Sequence, residues 1–233
     1  RQALKLADAD RAKQQPFLLQ LMTTSNHRPY TYPDDRIDIK SGNGRDGAVK
    51  YTDYAIGEFL DQARKKPWFD NTIFIFVADH TAGSAGKEDL PISNYQIPLF
   101  IYAPKLIEAR ETAQLASQID LAPTLMGLLN LDYVSTFFGR NLLQDNPLPP
   151  RVVVGNYQHF GLFDGKDLAI LSPRQGLRRH DEALTESRES RATATYPLIT
   201  RAITYYQTAS YGYKQQLLDW KAPMEGTDQV GER

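Results

Sequence analysis

The sequence predicts an α/β fold in which a largely parallel sheet is flanked by helices. The first observation is the order of the predicted elements, which runs strand, helix, strand, strand, helix between residues 17 and 131. The second is the unbroken apolar, β-branched run Thr72–Ala78, which is typical of a buried strand. The third is length and composition, because a chain of 233 residues that is 41% hydrophobic can bury a substantial core.

The first elements follow one another along the chain. Residues 1–15 are polar and helix-prone, and Phe17–Thr24 is a short apolar run that predicts a buried strand. Residues 30–47 combine prolines, glycines and charged residues, which indicates a long exposed loop. From Ala48 to Lys65 the apolar side chains recur at close to helical spacing, so we expect an amphipathic helix that ends before Pro67.

The strand Thr72–Ala78 is followed by a further predicted strand and a helix. Leu99–Ala103 lies between two prolines and predicts the strand. Ile119–Leu131 predicts the helix, with Asp120 as its cap and a buried stripe of leucines. The leucines of that stripe are Leu125, Leu128 and Leu129.

The pattern changes near residue 145, where Gln144–Pro150 has the composition of a linker. We therefore expect two domains: an α/β core over residues 1–145 and a small α+β subdomain over residues 146–233. Val152–Gly155 and Leu168–Leu171 predict a small antiparallel sheet in the subdomain. Residues 176–195 are rich in Arg and Glu without apolar periodicity, which favours a solvated segment. Pro197–Trp220 predicts a last amphipathic helix.

Composition excludes several classes of function. The 27 basic and 28 acidic residues leave a formal charge of -1, so no overall field attracts nucleic acid or anionic lipid. The absence of cysteine excludes disulfides and thiolate zinc sites in this chain. The chain begins with Arg1, and we expect it to be a fragment whose upstream signal or membrane segment is missing.

The clearest candidate site is Asp79-His80, directly after the strand Thr72–Ala78. A carboxylate and an imidazole at the carboxyl end of a strand suit Mg²⁺, Mn²⁺ or Zn²⁺, because ligands of open α/β sheets bind at that edge. The alternative is local: Asp79 caps the following loop and His80 packs against it. The dipeptide alone leaves both interpretations open.

Three further residues could contact an anionic substrate. His27 and Arg28 follow the predicted strand Phe17–Thr24; the imidazole could bind a phosphate oxygen or transfer a proton, and the arginine could bind an anion. Lys87 follows a glycine-containing loop and could reach an anion. Taken alone, His27 and Arg28 are better explained as exposed loop residues, and Lys87 fits a solvated lysine equally well. His159 and His180 are interpreted as surface residues.

Several strings in the chain occur together in one family. The strings are TTSNHRPY, YTDYAIGEFLDQARKKPWFDNTIFIFVADH, YQIPLFIYAPK, SQIDLAPTLMGLLNLD and FGRNLL. Their order between residues 16 and 143 resembles the extracellular sulfatase-type domain of lipoteichoic acid synthases and bacterial phosphoglycerol transferases, within the alkaline phosphatase superfamily.

The resemblance implies an alkaline-phosphatase-like sheet of which this chain is the carboxy-terminal half. It implies a single divalent cation, Mn²⁺ or Mg²⁺ with Zn²⁺ possible, bound by Asp79 and His80 together with an acidic residue and a threonine nucleophile. Both of those additional groups are expected upstream of this chain. His27 matches the substrate-contacting histidine of the Asn-His-x-Pro string.

The resemblance also implies a reaction and its partners. The threonine would attack a phosphodiester of a phosphoglycerol-bearing lipid or glycan, and an acceptor hydroxyl or water would resolve the covalent product. The location implied is extracytoplasmic, on the periplasmic or outer face of the membrane, attached to upstream transmembrane helices. The missing amino-terminal half of the domain is an expected partner, because it should cover apolar sheet edge and helix surface.

Three alternatives remain at this point. A sulfuric ester hydrolase shares the fold and uses a formylglycine made from Cys or Ser in a Cys/Ser-x-Pro-x-Arg string, which would also lie upstream. Phosphoethanolamine transferases usually carry disulfides, and none can form within this chain. A non-catalytic relative would only bind a glycan or a partner.

Overall fold

The structure is a computed structural model, and it describes residues 1–83, 90–144, 148–181, 190–191 and 193–219. Four α-helices lie in this part of the chain: α1 (Gln2–Ala12), α2 (Arg45–Ala63), α3 (Leu121–Leu128) and α4 (Pro197–Lys214). The strands of the same part are β1 (Phe74–Val77), β2 (Leu99–Tyr102), β3 (Val152–Gly155), β4 (Phe160–Phe163), β5 (Asp167–Ser172), β6 (Gly176–Asp181) and β7 (Ser190–Arg191). The predicted α/β class is confirmed, and none of the described helices is long and apolar enough to cross a membrane.

The chain divides by packing into two compact units. The first unit comprises residues 1–77 and 99–110, and the second comprises residues 78–98 and 111–233. This division differs from the expected domain boundary after residue 145, which stays a prediction.

The core of the first unit is aromatic. Trp68, Phe69 and Phe74 are buried against Leu4 of α1 and Ala63 of α2. Hydrogen bonds reinforce the packing, since the indole N–H of Trp68 donates to Asp8 Oδ1 at 2.8 Å and Lys66 donates to Asp8 Oδ2 at 2.6 Å. The helix predicted for Ala48–Lys65 is therefore confirmed as α2, and its carboxyl end lies in the core of this unit.

Strands β1 and β2 pair with each other in antiparallel register, with Phe74 opposite Tyr102 and Val77 opposite Leu99. Both predicted strands are thus present. The expected parallel pairing is not found among the described strands, because the chain reverses direction between β1 and β2 and the two hydrogen-bond directly.

The strand expected over Phe17–Thr24 does not form. Phe17 and Leu19 pack against the aromatic core, whereas Leu18, Leu21 and Met22 are 82%, 58% and 86% exposed. An apolar run becomes a strand only when a neighbour accepts its backbone hydrogen bonds. No described strand pairs with residues 17–24, and the segment belongs to no helix or strand.

The second unit contains a five-stranded antiparallel sheet in the order β3-β4-β5-β6-β7. Alternate side chains of β5 enter two separate clusters: Leu168 and Ile170 pack with Leu90, while Ala169 packs with Ile199 of α4. The small antiparallel sheet predicted from the sequence is confirmed and is larger than expected.

Two predictions for the second unit are corrected. Gly176–Asp181 is not a solvated segment but strand β6, which pairs with β5 along its whole length. Residues 182–189 and 192 of the predicted solvated segment lie outside the described residues. The last helix ends at Lys214 rather than at Trp220, which is also outside them.

Helix α3 is shorter than the predicted helix over Ile119–Leu131. A 3₁₀ turn, Gln118–Asp120, precedes it, and the side chain of Asp120 makes no capping bond to the helix. The expected buried stripe is incomplete, because Leu129 is 48% exposed and Leu125 and Leu128 are half-buried. Asp120 instead is fully buried in an ion pair.

Candidate functional site

Asp79 and His80 form a tight turn in the second unit. The backbone N–H of His80 donates to Asp79 Oδ1 at 2.9 Å, which leaves Asp79 Oδ2 directed away from this bond. The two side chains are 87% and 65% exposed, so ions and substrate can reach them. Both side chains are therefore open to solvent.

One ring nitrogen of His80 is hydrogen-bonded to the main chain. Its Nδ1 lies 2.7 Å from the carbonyl oxygen of Thr81, and a carbonyl can only accept, so Nδ1 is the donor. The other ring nitrogen, Nε2, lies 3.6 Å from Asp79 Oδ2, and in a neutral imidazole of this tautomer Nε2 is the acceptor. Metal-binding histidines commonly donate their other ring N–H to a carbonyl in this way.

These two atoms are of the kinds that bind a divalent cation. A carboxylate oxygen and an imidazole nitrogen lie 3.6 Å apart, and both suit Mn²⁺, Mg²⁺ or Zn²⁺. Within the described residues no group of three or more His, Cys, Asp or Glu side chains could hold a metal ion. Metal binding by Asp79 and His80 stays a prediction.

Hydrogen bonds to the main chain hold the turn. The N–H of Ala78 donates to Pro98 O at 3.3 Å, and the Thr81 hydroxyl donates to the carbonyl oxygen of Asn94. The side-chain amide of Gln118 donates to two carbonyl oxygens, those of Ala78 and Asp79, each at 2.9 Å. No pattern in the sequence identifies Gln118, because residue types do not show a contact with Asp79, which lies 39 residues away.

Gln118 lies two residues before Asp120 in the sequence. Asp120 forms an ion pair with Arg151, and both side chains are fully buried. The contact is bidentate, with Arg151 donating to Asp120 Oδ2 at 2.8 Å and to Oδ1 at 2.7 Å. The backbone N–H groups of Ser117 and Arg140 also donate to this carboxylate, at 2.9 and 2.8 Å. Arg151 donates further to the carbonyl of Phe138 and the hydroxyl of Tyr205.

The pKa of Asp120 reflects these opposing effects. Burial acts to raise the pKa, but the hydrogen bonds and charge of Arg151, with the N–H groups of Ser117 and Arg140, outweigh it. The pKa therefore lies below its ordinary value of 3.8, and the carboxylate is ionised at neutral pH.

A glycine makes this network possible. A Cβ built at Gly139 would lie 1.7 Å from the carbonyl oxygen of Ile119 and 3.0 Å from the Cα of Asp120. Because Gly139 has no side chain, the two backbone segments can approach closely, and the next residue, Arg140, reaches Asp120.

His27 lies in the first unit, in a turn rather than at the end of a strand. Its N–H donates to Thr24 O at 3.0 Å, and its carbonyl accepts from the N–H of Tyr30 at 2.8 Å. The side chain is exposed, and its Nδ1 donates to the carbonyl of Arg28 at 2.9 Å. Asn26 fixes the turn to α2 by accepting from Thr52 at 3.1 Å.

The phenol oxygen of Tyr30 lies beside this turn and accepts a hydrogen bond of 3.2 Å from Arg45, the first residue of α2. The pKa of Tyr30 is lowered by Arg28 and then by Arg45, whose positive charges favour the ionised phenol. No pattern in the sequence singles out Tyr30 or Arg45.

Three further candidates from the sequence are His159, His180 and Lys87. His159 pairs with the hydroxyl of Ser172 at 2.9 Å, and His180 is half-buried in β6. Lys87 is outside the described residues.

Comparison with known proteins gives consistent matches. A family model described as Sulfatase matches residues 1–131. Lipoteichoic acid synthase 2 of Bacillus subtilis is 28% identical, over 51% of this chain and 21% of that protein. Phosphoglycerol transferase I of Xanthomonas campestris is 29% identical, over 60% of this chain and 21% of that protein.

A solved structure matches more of the chain. The crystal structure of a protein in the alkaline phosphatase superfamily from Vibrio parahaemolyticus is 32% identical, with a TM-score of 0.76 over 85% of this chain. The match covers 49% of that protein, and the chain spans about a fifth of the length of the two curated relatives.

Proposed function

The chain belongs to the sulfatase family, and on that premise we propose that it is part of a metal-dependent phosphoglycerol transferase or phosphodiester hydrolase of the cell envelope. The observation that carries the proposal is the Asp79-His80 turn, in which an accessible carboxylate oxygen and an imidazole lone pair lie 3.6 Å apart. The Asn26-His27-x-Pro29 string favours the phosphoglycerol branch over a sulfuric ester hydrolase.

Asp79 and His80 hold the cation, Mn²⁺ or Mg²⁺ with Zn²⁺ as a further candidate. When bound, the cation polarises a phosphoryl oxygen and offsets the charge that develops on it. The Thr81 carbonyl keeps the His80 proton on Nδ1, so Nε2 stays available as a ligand. His27 contacts the substrate through Nε2, either binding its phosphate or holding a proton.

The nucleophile is a threonine outside these residues. Its hydroxyl oxygen bonds to phosphorus while the bond from phosphorus to the leaving alcohol breaks, and the alcohol departs with a proton. An acceptor hydroxyl or a water then bonds to phosphorus and releases the threonine. The substrates are phosphoglycerol-bearing lipids or glycans, and the domain acts outside the cytoplasm, attached to transmembrane helices upstream.

The same proposal accounts for the exposed apolar surface of the first unit. Leu18, Leu21 and Met22 are exposed on a segment that pairs with no described strand. We propose that the amino-terminal half of the domain covers this segment, as another strand-forming part of the polypeptide.

The test uses the complete protein with Mn²⁺ as the probe. Replacing His80 with Ala should reduce turnover of a chromogenic phosphodiester by roughly 100-fold or more, because even groups that only orient metal ligands are worth 10–100-fold. Mn²⁺ affinity, measured by calorimetry, should fall as well, whereas the unfolding temperature should change little because His80 is 65% exposed.

His159→Ala is the matched control, since it removes a histidine of the same unit that only pairs with Ser172. Turnover of a sulfate ester in place of the phosphodiester would favour the sulfuric ester hydrolase. Absence of bound divalent metal, unchanged by Asp79→Ala, would favour a non-catalytic binding relative. Unchanged turnover in His80→Ala would remove His80 from the site.

A further inference from the structure

Gln118 connects the candidate metal pair to the buried interior of the second unit. Its amide nitrogen donates to the carbonyl oxygens of both Ala78 and Asp79 at 2.9 Å. We propose that Gln118 is a positioning residue: it fixes the backbone of the Asp79-His80 turn and thereby the direction of both ligand side chains. This inference rests on the proposed function of Asp79 and His80.

The two accepting carbonyls lie on either side of one residue. Because the carbonyls of Ala78 and Asp79 bond to the same nitrogen, the peptide planes before and after Asp79 are both constrained. These planes set where the Asp79 Cβ points and where the N–H of His80 lies. That N–H in turn orients the Asp79 carboxylate through its 2.9 Å bond to Oδ1.

The backbone of Gln118 is itself fixed by the 3₁₀ turn to which it belongs. It is the first residue of the 3₁₀ turn Gln118–Asp120, and Ser117 and Asp120 close a capping box around it. Asp120 is fixed by its bidentate pair with Arg151, and both side chains are fully buried. The hydroxyl of Ser117 also accepts from the N–H of Val153 at 3.4 Å, which links the turn to β3.

Because Gln118 is exposed, its effect on the orientation of the Asp79-His80 turn can be measured apart from any effect on the stability of the fold. The side chain is exposed, so water can replace its two hydrogen bonds and their loss costs the folded state little. The buried Asp120-Arg151 pair remains intact when Gln118 is changed. A variant should therefore stay folded while the Asp79-His80 turn loses its restraint.

The experiment uses Gln118→Met and Gln118→Ala in the complete protein. Met keeps the length of the side chain and removes the donors, while Ala removes both. Gln207→Ala is the control, because Gln207 is an exposed glutamine on α4 of the same unit. Amide hydrogen exchange over residues 78–83 reports on the turn, and calorimetric titration with Mn²⁺ reports on the ligands.

In both Gln118 variants we expect exchange over residues 78–83 to become roughly 10-fold faster, as two solvated hydrogen bonds are lost. Mn²⁺ affinity should fall roughly 10–100-fold, the usual effect of removing a group that orients metal ligands. The unfolding temperature should match that of Gln207→Ala. Gln118→Met alone decides the matter if the Ala variant does not fold.

Exchange equal to that of the control would overturn the proposal, and so would faster exchange with unchanged Mn²⁺ affinity. Failure of the proposed function gives a different result, because Asp79→Ala would then leave Mn²⁺ binding of the complete protein unchanged. In that case the exchange rates over residues 78–83 still decide whether Gln118 restrains the turn.

Discussion

Replacing Arg151 with Met should destabilise the second unit far more than an exposed arginine replacement would. The change leaves the Asp120 carboxylate buried without its counter-charge, and it removes the donors to Phe138 O and the Tyr205 hydroxyl. Breaking a buried ion pair in this way costs about 3–5 kcal/mol in free energy of unfolding. For a chain of this size the unfolding temperature should fall by roughly 6–20 °C.

The control is Arg64→Met, which breaks the exposed Arg64-Asp61 pair, whose side chains are 51% and 66% exposed. Such pairs contribute about 0–1 kcal/mol. Thermal unfolding of the complete protein, followed by circular dichroism, compares the two variants. The double variant Asp120→Asn, Arg151→Met removes the unpaired charge and should regain part of the lost stability. If Arg151→Met unfolds at the temperature of Arg64→Met, the pair does not anchor this unit.

The pH dependence adds a second check on the same variant. In the wild-type protein the pKa of Asp120 is lowered, so the contribution of the pair is present at neutral pH and is lost as pH falls through the folded-state pKa. Without Arg151, its hydrogen bonds and positive charge no longer oppose burial, so the pKa of Asp120 rises above its wild-type position. Relative to the wild type, the variant then gains stability as the carboxyl group protonates on acidification. The difference in free energy of unfolding between the variant and the wild type should therefore become smaller towards pH 4. A difference that does not change with pH would contradict the lowered pKa of Asp120.

His27→Ala in the complete protein should raise the KM for a phosphodiester while Mn²⁺ affinity is retained, because His27 is assigned to the substrate; loss of Mn²⁺ binding would make His27 a metal ligand instead. The isolated chain of 233 residues should self-associate through its exposed apolar segment, and Leu18→Ser with Met22→Ser should reduce that association in sedimentation experiments. A monodisperse, fully folded monomer of the unaltered chain would refute the second prediction.

Local patterns in the sequence predict the helices and strands that pack through one face. The helical spacing over Ala48–Lys65 and Pro197–Trp220 locates α2 and α4 to within a few residues, apart from the carboxyl end of α4. The apolar runs locate β1 and β2 equally well. In these segments the side chains alone carry the signal, since the buried face repeats with the period of the element.

Partners distant in sequence are the part that could not be predicted. Phe17–Thr24 has the composition of a strand, but composition does not specify a neighbour, and no described strand provides one. Gly176–Asp181 has the opposite character: few apolar residues, yet β5 supplies the hydrogen bonds that make it a strand. Asp120 looks like a helix cap because capping is local, whereas its partner Arg151 lies 31 residues away.

The candidate site can be predicted from the sequence only in part. The position of Asp79 and His80 directly after a strand suggests them as metal ligands, and that role stays a prediction; in the structure Asp79 Oδ2 and His80 Nε2 lie 3.6 Å apart. Gln118 makes its contacts through the side chain to backbone carbonyls, and any residue type offers a carbonyl. Such an interaction leaves no trace in the residue types of its acceptors, so only the folded chain reveals it.

The close contact between the backbone at Gly139 and that at Ile119 predicts that variants without activity fall into two classes. Any side chain there would collide with the Ile119 carbonyl oxygen. A genetic screen for loss of activity should therefore recover changes at Gly139 as readily as changes at Asp79. The two classes differ in cellular abundance: an Asp79 variant accumulates normally, whereas a Gly139 variant is removed by proteolysis, as expected of a folding defect.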